Sequence, residues 1–311
     1  MMTILGGGGV IANHLAPLLV AQKKAFRVVS RSGRQTPGAA ENVTADVADR
    51  EDAVRAIAGS SVVFLLVGLQ YDHKVWAETW PRIMANTIEG CKRAGAKLVF
   101  FDNVYMYGRV NGAMTEETPF NPCSRKGEVR ARIATALLEE IRAGSLTAMI
   151  ARAPDFCGPA TATGVANVLV FDAWGKKQKA SWLVNDAVPH SLIYTPDAAQ
   201  ALVRLAESET AWNQTWHLPT TGDPPTGREF ITAAAEAMGV APEYRVLSRT
   251  MVRVFGWFKP VVGETHEMLY QYDGPYRFDS SKYGRAFGFS GTPYAEGIRA
   301  TAASYRDGKR A

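Results

Sequence analysis

The chain has little that would tie it to a membrane, a disulfide framework or nucleic acid. No segment approaches the ~18 consecutive apolar residues that a bilayer-spanning helix needs. The N-terminus carries no basic stretch ahead of an apolar one, so it does not read as a secretory leader. Only three cysteines occur in 311 residues, Cys91, Cys123 and Cys157. Far apart and odd in number, they suit free thiols in a reducing compartment, and no two have metal-ligand spacing. The 35 basic and 30 acidic residues nearly balance, at a net +5 with no run of one sign. So diffuse an excess does not argue for a nucleic-acid partner. No internal repeat and no low-complexity segment is found. The expectation is a soluble, cytoplasmic protein with a small-molecule partner, no nucleic-acid partner and no stable membrane insertion. What is present is 47% apolar residues, ample for the core of one large α/β domain with a smaller part beside it.

The most informative feature lies at the start. Thr3-Ile4-Leu5 runs into Gly6-Gly7-Gly8-Gly9, and Val10-Ile11-Ala12-Asn13-His14-Leu15 can open a helix at once. Strand, tight glycine turn and helix N-terminus in that order form a pyrophosphate site. Glycine admits the turn and the close approach of phosphate, and the unpaired N–H groups and dipole of the helix meet the charge. The spacing is Gly6-x-x-Gly9-x-x-Ala12, with a small third residue where helix and strand must pack closely. Gly6, Gly8, Gly9, Val10 and Ile11 are therefore expected to bind a dinucleotide.

Strands and helices then alternate. Strands are predicted at Phe26–Ser30, Val43–Val47, Val62–Val67, Lys97–Phe101 and Thr147–Ala151, with helices at Arg50–Gly59, Val75–Ala94 and Glu128–Ala143. Pro81 must sit in the first turns of its helix or kink it. Repeated strand–helix pairs predict an α/β fold, a Rossmann-type doubly wound parallel sheet, with ligands beyond the carboxyl ends of the strands. Residues 1–155 read as this dinucleotide-binding domain. A segment near 186–206 returns to it, and the Gly- and Pro-rich 156–311 reads mainly as a smaller C-terminal substrate-binding region.

The ordered landmarks resemble the extended short-chain dehydrogenase/reductase superfamily, the NAD(P)-dependent epimerases, dehydratases and reductases. They are the glycine loop, Asp46-Val47 after the third strand, Val104-Tyr105-Met106-Tyr107-Gly108 after the fifth, and Arg152-Ala153-Pro154-Asp155-Phe156-Cys157-Gly158-Pro159 after the sixth. His190-Ser191-Leu192-Ile193-Tyr194-Thr195-Pro196-Asp197 and Phe278-Asp279-Ser280-Ser281-Lys282 follow later. The resemblance implies that Asp46 and Val47 contact adenine, that Gly68 lies near the nicotinamide half, and that Pro154, Asp155 and Phe156 line the nicotinamide. It also suggests a homodimer through the helices at 75–94 and 128–143, with Ile133, Leu137, Leu138 and Ile141 in contact.

The family's catalytic side chains are replaced. Counted from Tyr107-Gly108, its Ser/Thr position is Asn103, while its Tyr and Lys positions fall on Lys126 and Arg130. Asn103 can donate to a carbonyl oxygen as a hydroxyl would. A lysine becomes a proton acceptor near neutrality when it is buried or beside another cation, which makes Lys126 a candidate if Arg130 adjoins it. Arg130 can hold a ribose but cannot act as a base. The plain alternative is that both are part of a solvated, charged helix start. Tyr105 shares a face with Asn103 if the chain there is extended, and offers a phenol or an aromatic packed beneath the nicotinamide. His73, in Tyr71-Asp72-His73, is a further acid/base candidate or a loop histidine facing solvent.

The end of the second strand, Ser30-Arg31-Ser32-Gly33-Arg34, lacks the carboxylate that would bind both ribose hydroxyls of NAD. Arg31 and Arg34 instead suit a 2′-phosphate, which favours NADP over NAD. Downstream, Trp174, Trp182, Trp212, Trp216, Phe255, Trp257, Phe258, Tyr270, Tyr272 and Tyr276 line a pocket or fill a core, and Arg249, Arg253 or Arg277 could meet a second diphosphate. Thr250–Lys259 is basic and amphipathic, read as packing over the active site in preference to touching a membrane. The chain is thus expected to be an NADP-dependent oxidoreductase of a carbonyl/alcohol pair on a small organic substrate. The alternatives are a sugar-derivative epimerase or dehydratase, and a non-catalytic NADP-binding sensor.

Overall fold

The computed structural model describes residues 1–306, so the last five residues of the 156–311 region lie outside the described residues. In chain order the first half runs β1 (Met2–Leu5), α1 (Val10–Ala21), β2 (Phe26–Ser30), β3 (Glu41–Thr44), α2 (Arg50–Ile57), β4 (Val62–Leu65) and α3 (His73–Ala94). It continues through β5 (Lys97–Asp102), β6 (Ala113–Met114), α4 (Arg125–Arg142) and β7 (Ala148–Arg152). Then come β8 (Asp155–Cys157), α5 (Asp172–Gly175), β9 (Ala180–Leu183), β10 (Leu192–Tyr194), α6 (Thr195–Glu207) and β11 (Thr215–His217). The chain closes with α7 (Gly227–Met238), β12 (Tyr244–Leu247), α8 (Arg249–Phe258), α9 (Pro260–Thr265), β13 (Arg277–Phe278), α10 (Ser281–Phe287) and α11 (Tyr294–Arg306).

The chain divides into two compact units, one of residues 1–108, 125–152 and 198–216, the other of 109–124, 153–197 and 217–306. In the first, seven strands form one sheet in the order β11-β7-β5-β4-β1-β2-β3. The pairings from β3 across to β7 are all parallel. β1 pairs with β2 on one side and β4 on the other, so the winding reverses there, and in sheets of this kind ligands bind beyond the carboxyl ends at that point. β4 and β7 are buried at every residue, as apolar runs covered on both faces should be. This is the doubly wound α/β architecture that the alternating pattern predicts.

Local differences have local causes. The third strand spans Glu41–Thr44 instead of 43–47, because Asp46 turns the chain: its Oδ1 accepts the Ala48 N–H at 3.0 Å, and its own N–H donates to Asp52 Oδ2 at 2.9 Å. α3 starts two residues early because Asp72 caps it, accepting from Lys74 and Val75 N–H. It is one helix from His73 to Ala94, with Pro81 in its interior and not in its first turns. α4 begins at Arg125, three residues before the predicted start, which takes Lys126 into its first turn.

The second unit carries three two-stranded parallel pairs, β8–β10, β9–β12 and β6–β13. Its core joins Phe171, Trp182, Phe230, Leu269, Tyr272 and Ile298. Thr226 and Glu229 form a capping box at the start of α7. Trp182, Tyr270, Tyr272 and Tyr276 are buried here, so these aromatics are core, whereas Trp257 and Phe258 are exposed. Cys91 and Cys157 are buried free thiols, each pushed up to about 12 by burial.

Candidate functional site

The glycine loop has the geometry of a phosphate cradle. Gly6 and Gly8 have φ of +107° and +84°. A Cβ on Gly6 would lie 2.8 Å from the Leu66 carbonyl carbon and oxygen, so only glycine fits between β1 and β4. Gly6 and Gly7 N–H both donate to Val29 O, at 3.0 and 2.9 Å, fixing the turn on β2. Gly9 is the N-cap of α1 and has no side chain with which to cap it. The first-turn N–H groups, those of Val10 and Ile11 included, have no partner within the helix and are free to meet an anion. The donor set and the cradle that a side chain would fill both fit a dinucleotide diphosphate.

The neighbouring positions are consistent in chemistry. Arg34 lays its Cδ and Nη1 3.5 Å from where a Gly8 Cβ would stand, and its N–H donates to Ser30 Oγ at 3.2 Å. Arg31 is exposed at the end of β2. Asp46 is exposed beside buried Val47, whose carbonyl accepts from Asn86 Nδ2. Gly68 follows β4 with nothing within 4 Å of a notional Cβ.

A second set of residues surrounds Trp76, which projects from the start of α3. Its Nε1 donates to Gln70 O at 2.9 Å, fixing the ring. Tyr105 stacks on it, centroids 6.2 Å apart and 13° between planes, and Tyr71 meets it edge-on at 5.7 Å. Lys126 is fully buried, with Nζ 4.5 Å from the centre of the Tyr71 ring. Arg130 is 3% exposed, and its guanidinium lies 4.4 Å from Trp80, 5.0 Å from Phe100 and 5.8 Å from Trp76. Nε donates to Asp102 Oδ1 at 2.7 Å and Nη2 donates to the same oxygen. Asp102 also accepts the Asn103 N–H at 2.9 Å, while Arg152 Nε lies 3.8 Å from its other oxygen. Asn103 Oδ1 accepts the Tyr105 N–H at 3.0 Å.

All four predicted chemical residues therefore belong to one aromatic cluster, Asn103 through Tyr105 and Lys126 through Tyr71. Three expectations change. Lys126 and Arg130 are not a solvated helix start, because the first turn of α4 packs inward. Arg130 is not a free side chain at a helix start, because Nε and Nη2 tie its guanidinium to Asp102 in a buried ion pair. Tyr105 does not share an extended face with Asn103, since Tyr105–Tyr107 form a 3₁₀ turn. His73 is half-buried, with Nε2 2.7 Å from Arg125 Nη1. Sequence reasoning missed Trp76 and Asp102. The i,i+4 pair Trp76/Trp80 and an acid at the end of β5 were the available signals.

Over residues 2–216 the sequence matches the model of the NAD dependent epimerase/dehydratase family. The chain belongs to that family. No curated protein sequence matches it. Among solved structures, the UDP-glucose 4-epimerase of Thermus thermophilus in complex with NAD is 22% identical, with 98% of this chain and 99% of that one covered and a TM-score of 0.77. The Bordetella bronchiseptica enzyme WbmH in complex with NAD+ is 18% identical, with 98% of each chain covered and a TM-score of 0.78. A double mutant of DesIV, the dTDP-glucose 4,6-dehydratase of Streptomyces venezuelae with NAD and DAU bound, is 18% identical, covers 99% of this chain and 97% of its own, and has a TM-score of 0.80. At these identities the fold is what is shared.

In the second unit of this family member, Pro154 is buried and Asp155 and Phe156 are half-buried. Asp155 Oδ2 accepts from the Tyr272 hydroxyl at 2.8 Å and lies 3.0 Å from His190 Nε2. The His190 ring is 1% exposed and stacked between Tyr272 and Tyr276, at 4.4 and 4.5 Å. Its Nδ1 has no hydrogen-bond partner among the described residues. Nothing in the sequence spacing joined positions 155, 190 and 272. Elsewhere in the unit, burial raises Asp197, although Thr292 donates to it from N–H and Oγ1. The cavity of about 20 Å³ beside Asp197 has room for a single water and not for an organic ligand. Among the described residues, no helix is long and apolar enough to cross a membrane.

Proposed function

We propose that this family member is an NADP-dependent oxidoreductase that interconverts a carbonyl and an alcohol on a small organic substrate. The observation that carries the reading is Lys126, a titratable side chain fully buried against Tyr71; the resemblance puts the family's phenol at this position. A bound nicotinamide would supply or accept the hydride. The chain's own residues would do the rest. Gly6, Gly8, Gly9, Val10 and Ile11 hold the diphosphate by backbone N–H groups and close approach. Arg31 and Arg34 meet the 2′-phosphate, Asp46 and Val47 meet the adenine, and Gly68 leaves room beyond β4. Because Asn103 Oδ1 accepts from Tyr105, its NH₂ end is the one left to polarise a carbonyl oxygen. Lys126 Nζ carries the proton to or from that oxygen, and Tyr105 holds Trp76 in place. Arg130 acts at one remove, by pinning Asp102 and through it the end of β5.

A nucleotide-sugar epimerase or dehydratase is the second reading, favoured by the substrates named for the structural neighbours. In either case the setting proposed is a cytoplasmic protein that pairs through α3 and α4. Ile133 and Leu137 are buried within the protomer, which leaves Leu138 and Ile141 for that contact.

The test begins with titration of NADPH and NADH, followed by nicotinamide fluorescence. Preferential NADPH binding is expected. Net NADPH consumption with carbonyl substrates supports the first reading, and turnover of a nucleotide sugar with no net consumption supports the second. Lys126→Met is expected to lower kcat by about 10²- to 10⁴-fold, the usual worth of a positioned acid or base, with cofactor affinity held. Unchanged kcat in this variant refutes the role given to Lys126.

A further inference from the structure

Among the described residues, exposed apolar side chains concentrate on the α8–α9 hairpin. Ten large apolar residues are exposed among the described residues, and six of them lie between Met251 and Val261. Trp257, Phe258 and Val261 reach 76, 79 and 59% exposure, and only Val252 is buried in α8. A cluster this dense on one short segment marks an interaction surface, whereas scattered apolar residues would not.

The hairpin has a built tip. A Cβ on Gly256 would stand 2.6 Å from Gly263 Cα, so the backbones of α8 and α9 touch. Gly263 and Val262 N–H both donate to Lys259 O, at 3.2 and 2.9 Å, and Pro260 opens α9. Ser248 caps α8 by accepting the Met251 N–H. The apolar side chains at the turn are thus presented by a braced element.

Charge says what they meet. From Arg249 to Gly263 there is no acidic residue, and Glu264, near the end of α9, is the one carboxylate of the two helices. Arg249 is tied to Asp273, but Arg253 and Lys259 are exposed among the apolar groups. A second copy docked on the same face about a two-fold axis would bring these cations together, which opposes self-association. An anionic surface with an apolar interior satisfies both halves of the pattern: Trp and Phe at the headgroup–acyl boundary, Lys and Arg at the phosphates.

We infer that the α8–α9 tip is a reversible docking site for an anionic phospholipid surface. This binding is peripheral and independent of the cofactor reading.

The experiment is cosedimentation of the full chain with vesicles of phosphatidylcholine alone and with phosphatidylglycerol added, at low and high salt. Binding to the anionic vesicles is expected to be stronger by about fivefold for each of Arg253 and Lys259, hence on the order of 30-fold, and to weaken with salt. Trp257→Ser with Phe258→Ser should abolish it, and Arg253→Gln with Lys259→Gln should remove the lipid preference. All four side chains are exposed, so the thermal transition of each variant should match the parent and show that it is folded. Equal binding to both vesicles, no binding to either, or retention by the Trp257/Phe258 variant overturns the inference. So does concentration-dependent self-association that this variant abolishes, which would assign the face to a second copy.

Discussion

The first turns of α1 and of α4 are built from opposite materials. At α1 the working parts are backbone: two glycines at positive φ, an N-terminus with no side-chain cap, and first-turn N–H groups that have no partner within the helix. At α4 they are long cations drawn into an aromatic shell, Lys126 on Tyr71 and Arg130 on Trp80 and Phe100. At Gly6 the backbone site leaves no room for a side chain between β1 and β4. A side-chain site can change its chemistry while the helix that carries it stays in place. On the proposed reading the chain keeps Gly6-x-x-Gly9-x-x-Ala12 and carries Asn103, Lys126 and Arg130 in place of the family's catalytic side chains, as that difference would lead one to expect.

The sharpest way to break the comparison is Arg130→Ala. It leaves Asp102 buried without its main partner and is expected to cost about 3–5 kcal/mol of stability, read from urea unfolding. If the loss is below about 1 kcal/mol, the α4 cluster is not the rigid counterpart of the glycine loop. Next comes Gly6→Ala. Its φ and the Leu66 contact predict about 1–3 kcal/mol of backbone strain plus the clash, seen as a lower Tm and weaker cofactor binding together. A variant that lost affinity at unchanged Tm would show that the loop is not braced by β4. The mildest is Arg34→Ala, expected to weaken NADPH about tenfold and to leave NADH unchanged, by fluorescence titration. Equal loss for both cofactors would move Arg34 from the 2′-phosphate to the shared diphosphate.

These sites were not equally legible in the sequence. The glycine loop could be read because its information is local: four glycines between an apolar triplet and a helix define a conformation wherever they occur. The parallel sheet followed from alternation for six of its seven strands, the edge strand β11 going unread, and element ends slipped, as at Asp46, where one side-chain hydrogen bond decides the turn. The burial of Lys126 could not be read from its own helix. It depends on Tyr71 and Trp76, some fifty residues earlier, and on Asp102 opposite Arg130. A basic run at a helix start has the same local pattern whether it faces water or a shell of rings. The Thr250–Lys259 segment taught the reverse. Its amphipathic pattern was plain, but packing over the active site was expected, and the structure leaves its apolar tip exposed.

His190 lies nearly parallel to two phenol rings, one on each face. Ring currents from both sides shield the protons of an imidazole so placed. The Cε1 proton of His190 should therefore resonate well upfield of those of His14, His73 and His266, with His217, stacked on the single ring of Phe278, shifted in the same direction. That one line in a proton spectrum would report, without a label, on the packing around Asp155.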